Sequence, residues 1–258
     1  MSSFIIAFSM YSKIPMPKVE WTKKNMRYAL CFFPFVGVLI GSIEYLFAVC
    51  LLYLKVPQLV IGAVLTLIPI LITGGIHIDG FLDTIDAISS YKSKEEKLKI
   101  LDDPHVGSFA VIYGCLYLIL FFTFTSALSR RTAGFMAYVF IFSRILSGIS
   151  VVSFPKAKEG LVKTFSDNAD RNVFKSLIVE LIAAIIASVY FLGPVFLIPT
   201  AVAVFCFYLY FVISKRTFGG TSGDQAGAFV CITELVMLVV LFVLDFSGVI
   251  QNLKLNLI

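Results

Sequence analysis

Tyr28-Ala-Leu-Cys-Phe-Phe-Pro-Phe-Val-Gly-Val-Leu-Ile-Gly-Ser-Ile-Glu-Tyr-Leu-Phe-Ala-Val-Cys-Leu-Leu-Tyr-Leu54 carries a single charged residue, Glu44. A stretch of about 20 such residues is long enough to cross the hydrocarbon of a bilayer as a helix. Six more follow: 57–73, 106–128, 134–153, 175–192, 195–213 and 228–246. Pro57, Pro194 and the pair Lys55-Val56 leave hardly any loop inside two of the pairs, which read as tight helical hairpins. The whole chain agrees. Its 258 residues are 59% hydrophobic and 14% charged, with a mean hydropathy of +0.95, against about 45–50% apolar and about 25% charged in soluble domains. A water-soluble enzyme, a disordered tail and a disulfide scaffold are excluded. The expected fold is all-α: a polytopic integral membrane helical bundle of about seven transmembrane helices, one membrane domain over 1–258.

Basic residues follow the same segmentation. The N-terminal segment 1–27 and the stretches 74–105, 154–175 and 214–227 carry 5, 4, 5 and 2 of the 21 Lys and Arg. The opposite side holds Lys55, Arg130, Arg131 and Lys254, and Arg144 lies within a span. This bias predicts a cytoplasmic N-terminus, three cytoplasmic loops and an outer C-terminus. Arg130-Arg131 departs from the pattern, and headgroup contact accounts for it. The net charge of +5 therefore reports topology, and no nucleic-acid partner is expected. The five cysteines lie in apolar runs without metal-type spacing. No short apolar core precedes a small-residue cleavage site, so no removed leader is expected. Phe4, Ile5, Phe8 and Tyr11 recur at helical spacing, which predicts a helix lying flat in the interface, with Trp21, Lys23 and Lys24 as anchors.

In so apolar a chain the acids are informative. Within Thr73-Gly-Gly-Ile-His-Ile-Asp-Gly-Phe-Leu-Asp-Thr-Ile-Asp86, the carboxylates of Asp79, Asp83 and Asp86 recur at i, i+4 and i+7, on one helix face. Like charges at that spacing repel, and a divalent cation turns the repulsion into binding. Mg²⁺ suits it, since that ion takes one or two carboxylates together with substrate phosphates. Gly74 and Gly75 allow a ligand close to the backbone, and His77 sits beside the acids. Asp103, His105 and Gly107 are candidates for a second wall of the site, or for simple capping of the next span. The run 92–99 mixes both charge signs at helical spacing and reads as a solvated helix.

Gly219, Gly220, Thr221, Ser222, Gly223 and Asp224 precede the last span. Glycines and hydroxyls at a helix start are able to cradle a phosphate, although the Walker ending is absent and small-residue packing explains them nearly as well. Asp224 beside such a cradle suggests a metal between the two. Glu44, Arg144, Glu180 and Glu234 fall inside spans, where ionisable groups face a polar interior and pair. Structural pairing suits Glu44 and Glu180. Arg144 reads as a partner for a glutamate or as a contact for substrate phosphate. Lys156, Lys158, Lys163 and Arg171 form a basic loop over the same face.

Taken in order, Gly74 to Asp86, Asp103-Pro-His-Val-Gly107 and Gly219 to Asp224 resemble the cobalamin synthase (adenosylcobinamide-GDP ribazoletransferase) family of prokaryotic cobamide biosynthesis. Phe8-Ser-Met-Tyr-Ser-Lys-Ile-Pro15, Phe33-Pro-Phe-Val-Gly37 and Lys158-Glu-Gly-Leu161 add to the resemblance, which runs over nearly the whole chain. Where that family commonly has Lys-Asp-Ser-Arg-x-Gly, this chain has Asp102-Asp103-Pro104-His105-Val106-Gly107, with His105 a partial substitute for a basic contact. Gln225 and Phe229 stand where smaller residues are expected.

The resemblance implies an enzyme of the prokaryotic cytoplasmic (inner) membrane with its active site on the cytoplasmic face. A hydroxyl of α-ribazole, or of its 5′-phosphate, attacks the cobinamide-side phosphorus of adenosylcobinamide-GDP, and GMP leaves. Asp79, Asp83, Asp86 and Asp224 would hold Mg²⁺, with His77 or one aspartate near the attacking hydroxyl. Gly74, Gly75, Asp103, His105, Gly107, Arg144 and Gly219–Gly223 would contact substrate. The lipid bilayer is a partner, and the sequence leaves a homo-oligomer open. A phosphotransferase of the CDP-alcohol type and a prenyltransferase are the enzymatic alternatives, but the Asp-Gly-x-x-Ala-Arg continuation and the clustered Asp-Asp-x-x-Asp pattern are both absent. A cation transporter would place acids near mid-membrane in broken helices, whereas here they gather at one face.

Overall fold

The structure, a computed structural model, describes residues 1–250, and for residues 130, 131, 133 and 134 the backbone alone. The headgroup reading of Arg130-Arg131, together with Lys254 and the outer C-terminus, lies outside what is described.

Apolar runs become helices throughout, because a backbone in hydrocarbon must bond to itself. The helices are α1 (Ser2–Tyr11), α2 (Lys23–Met26), α3 (Phe33–Tyr53), α4 (Gln58–Thr73), α5 (Ile76–Ser89) and α6 (Lys94–Ile100). They continue as α7 (Ser108–Ser126), α8 (Arg130–Ser153), α9 (Leu161–Asn168), α10 (Arg171–Leu192), α11 (Leu197–Ile213) and α12 (Gly223–Phe246). Among the described residues, six helices or helix runs are long and apolar enough to cross a membrane, and α4 with α5 makes a seventh if the bent pair counts as one span.

Helix α8 is the axis. It packs on α3, α10, α11 and α12, and Phe135, Phe140 and Phe142 are shut off from solvent. Glycines set the closest approach. A Cβ on Gly37 of α3 would stand 2.4 Å from the Phe140 carbonyl, and one on Gly41 would stand 2.3 Å from Ala137 Cα. Small residues of this kind drive helix association where lipid removes the ordinary hydrophobic gain.

Two features position the site. First, α4 and α5 meet at 92°, a bend made by Gly74 and Gly75 at φ +65° and +80°. Residues with a Cβ avoid that left-handed region. Helix α4 is 16 residues long, about 24 Å at 1.5 Å per residue, so the turn comes early and lays α5 across the end of the bundle. Second, α1, for which an interfacial helix is expected, packs one face against the bundle. Ile6 and Ala7 are fully buried and Phe8 nearly so, with α1 packed on α3 and on the 3-10 turn Ala29–Phe32. Ser9 stays exposed on the other side of the helix, so the apolar residues turn inward and the polar one outward.

Candidate active site

The site begins where α5 touches α12. A Cβ on Gly80 would lie 2.7 Å from the Asp224 carbonyl oxygen, and one on Gly227 would lie 3.1 Å from the His77 carbonyl oxygen. With no side chain between them, the two helices bring the acid stripe of α5 against the first turn of α12. Ser222 begins α12, its hydroxyl accepting the Gln225 N–H at 3.4 Å and donating to Asp224 Oδ2 at 3.2 Å.

Asp83 stands in the field of Asp79 and Asp224. The half-buried Asp83 carboxyl is pushed up to about 6 by burial first and then by the charges of Asp79 and Asp224, with Lys158 opposing. Lys158 crosses from the basic loop, its Nζ 3.3 Å from Asp224 and 2.6 Å from Asp102. Among the described residues no three His, Cys, Asp or Glu side chains converge on one metal-sized point. This donor set does not make a closed carboxylate cage. It fits a hydrated Mg²⁺ held by one or two carboxylates and completed by substrate phosphates.

Asp86 is placed differently from the other acids of its stripe. Its carboxylate accepts backbone N–H groups from Gly107 at 2.5 Å and Ala110 at 2.8 Å. It thus satisfies donors at the first turn of α7 and sits at that helix's positive end. Gly107 is needed for this contact, since a Cβ there would stand 2.6 Å from the carboxylate. Asp103 and His105 pair with each other at 2.7 Å on an exposed surface and, among the described residues, make no hydrogen bond or ion pair with Asp79, Asp83, Asp86 or Asp224.

The glycine-rich segment also works otherwise than its pattern predicts. The N–H groups of Gly219, Gly220 and Thr221 donate to Lys215, Ser214 and Pro155 carbonyls at 3.2, 3.1 and 2.7 Å. All three are therefore committed within the protein and do not cradle a phosphate. A Cβ on Gly220 would lie 2.5 Å from the Pro155 carbonyl, so these glycines dock the loop onto residues 155–157. Ser222 is buried as the cap of α12, and Gly223 alone of the five reaches the site cavity with Asp224.

Of the two readings of Arg144, the structure shows the glutamate partner. The arginine is 1% exposed, ion-paired with Glu234 of α12, and Ser143 bridges the pair at 2.9 Å to each side chain. The Arg144 Nε has no partner among the described residues. Glu180 bonds Ser176 at 3.1 Å. Glu44, expected to pair, is 1% exposed and its carboxylate oxygens find no partner among the described residues.

Two cavities meet at Asp79. One, of about 280 Å³, is enclosed by Tyr11, Phe33, His77 and Phe165, with Asp79 and Asp224 at its edge. The other, an open groove of about 610 Å³, is lined by Lys13, Gly74, Gly75 and Asp79. His77 is 8% exposed, and its Nε2 has no partner among the described residues. Burial, reinforced by the Arg144 charge, lowers its pKa to about 3, so the ring is neutral. Sequence reasoning missed Lys13, Tyr11, Phe33 and Phe165. Only the packing of α1, α3 and α9 and of the turn after α1 brings them here, although Lys13, Tyr11 and Phe33 fall inside quoted motifs.

Fold and site together define a polytopic helical membrane protein with a group of aspartates where α5 meets the first turn of α12. The family described as cobalamin-5-phosphate synthase matches residues 3–242, and the chain belongs to that family. An adenosylcobinamide-GDP ribazoletransferase of Lachnoclostridium phytofermentans is 44% identical over 92% of this chain and 91% of its own length. Proteins of the same description from Clostridium botulinum and Clostridium perfringens are 31% and 29% identical, over 90% and 92% of this chain and 93% and 95% of theirs. No solved structure matches the chain.

Proposed function

We propose that this protein joins the two halves of a cobamide. It transfers the cobinamide phosphoryl group of adenosylcobinamide-GDP to α-ribazole or its 5′-phosphate, releasing GMP. The P–O bond to GMP breaks as a ribose oxygen of the acceptor bonds to phosphorus, and the hydroxyl proton leaves to a carboxylate or to water. Family membership over nearly the whole chain supports the reaction, and the observation that carries it to particular residues is the meeting of two cavities at an acidic mouth. A phosphotransferase of the CDP-alcohol type is not favoured.

Phosphoryl transfer asks little covalent work of a protein and mainly requires positioning and charge neutralisation. Asp79, Asp83 and Asp224 would hold Mg²⁺, which supplies neutralisation of the pyrophosphate. Lys158 holds Asp224 toward the acid stripe, and Lys13 places a cation over the open groove. Asp79, at the junction of both cavities, is the carboxylate best placed to take the hydroxyl proton, because burial beside Arg144 makes neutral His77 a poor base. His77 remains a hydrogen-bonding group for the acceptor. The basic-residue asymmetry supports a cytoplasmic site and N-terminus in the inner membrane. The test is GMP release by purified protein given adenosylcobinamide-GDP, α-ribazole and Mg²⁺. Folded protein that releases none would exclude the reading.

A further inference from the structure

Resting on that reaction, we propose that the two cavities divide the substrates: the enclosed one seats the azole nucleoside with its ring innermost, and the open groove takes the nucleotide-activated donor.

Size excludes the reverse. The enclosed cavity measures about 280 Å³, roughly twice the ~150 Å³ that takes a benzene ring. A flat heteroaromatic ring with a sugar matches that space, and a corrin-bearing molecule does not. The groove of about 610 Å³ is open to the outside and leaves the bulk of a large donor beyond the protein.

The walls agree in chemistry. Tyr11 has its ring centroid 4.1 Å from Phe33 and 6.1 Å from Phe165, and His77 lies 5.9 Å from Phe33 and 6.3 Å from Tyr11. Rings at these spacings favour offset and edge contacts with a further ring. The unpartnered Nε2 of His77 is a buried polar atom, and an atom of that kind costs free energy until a ligand bonds it. An azole ring nitrogen or a ribose hydroxyl does so, and a purely apolar guest does not. Asp79 and Asp224 at the rim put the acids where the sugar emerges. On the far side of Asp79, Lys13 and the left-handed Gly75, whose Cβ direction meets nothing within 4 Å, give a pyrophosphate room and a counter-charge. Attacking and leaving oxygens then approach phosphorus from opposite sides, as in-line displacement requires.

Steady-state kinetics in detergent test the division. Phe165→Leu and His77→Gln are expected to raise the KM for α-ribazole about tenfold, a lost buried contact or hydrogen bond, with the KM for adenosylcobinamide-GDP within twofold of wild type. Lys13→Met, on an exposed residue, is expected to do the opposite. Equal shifts in both constants, or the reversed pattern, overturn the proposal. Calorimetric titration of α-ribazole into wild type and Phe165→Leu separates this failure from failure of the reaction. Binding weakened by Phe165→Leu supports the cavity assignment even if no GMP forms. Undetectable binding to wild type, equal binding to both proteins, or choline binding in its place overturns it.

Discussion

Asp86 on α5 accepts the backbone N–H groups of Gly107 and Ala110, tying the helix that carries the acid stripe to the start of α7. Asp83, one turn earlier, makes no such bond and stands instead in the field of Asp79 and Asp224. One stripe of like residues thus holds two kinds of carboxylate.

The two are separable by mutation. Asp86→Asn loses charge-assisted bonds worth about 1.5–3 kcal/mol, so it is expected to lower the melting temperature as well as activity. Asp83→Asn removes a crowded charge and is expected to abolish GMP release while the metal-free protein melts no lower than wild type. Thermal unfolding followed beside the activity assay reads both, and a retained turnover in Asp83→Asn would make the stripe structural.

Mg²⁺ is expected to stabilise the protein, because a bound cation relieves the repulsion on Asp83. The melting temperature is predicted to rise with Mg²⁺ and further with Mg²⁺ plus pyrophosphate, since phosphate completes the ligand set. Chelation is predicted to stop turnover. An equal Mg²⁺ shift in Asp83→Asn would place the ion elsewhere.

Removing one member of the Arg144–Glu234 pair leaves a buried charge without its partner. Glu234→Leu alone is expected to cost about 3–5 kcal/mol, and the double variant Arg144→Met with Glu234→Leu to recover most of it. Substrate KM values in the double variant should stay near wild type, because Arg144 faces Glu234 and not the cavities. A large rise in either KM would assign the arginine to substrate.

Gln225 makes the opposite case. It is 3% exposed, and neither amide atom has a partner among the described residues. Gln225→Met is expected to stabilise by about 1 kcal/mol, since an apolar group of similar shape removes two unsatisfied atoms. A lower melting temperature would show that the amide is bonded in solution.

Much of this was legible in one dimension. Each apolar segment became a helix, because hydrocarbon permits little else. The run 28–54 differs from α3, Phe33–Tyr53, since Pro34 favours the first turn of a helix and a 3-10 turn precedes it. The acid stripe was visible because its members are neighbours in sequence. Roles set by distant partners were not. Nothing local says that Asp86 meets Gly107, or that Thr221 spends its N–H group on the Pro155 carbonyl. The burial of α1 escaped as well, because an apolar decapeptide reads alike at an interface and in a core.

The order in which the chain is made adds one more consequence. Tyr11 and Lys13 come from its beginning, the acid stripe from its first third, Lys158 from beyond its middle, and Asp224 from the first turn of the final span. Until the ribosome has released α12, α5 lacks the helix that orders its acids. Fragments ending before α12 therefore carry Asp79 and Asp83 without Asp224, and they are expected to release no GMP whatever else of them has inserted.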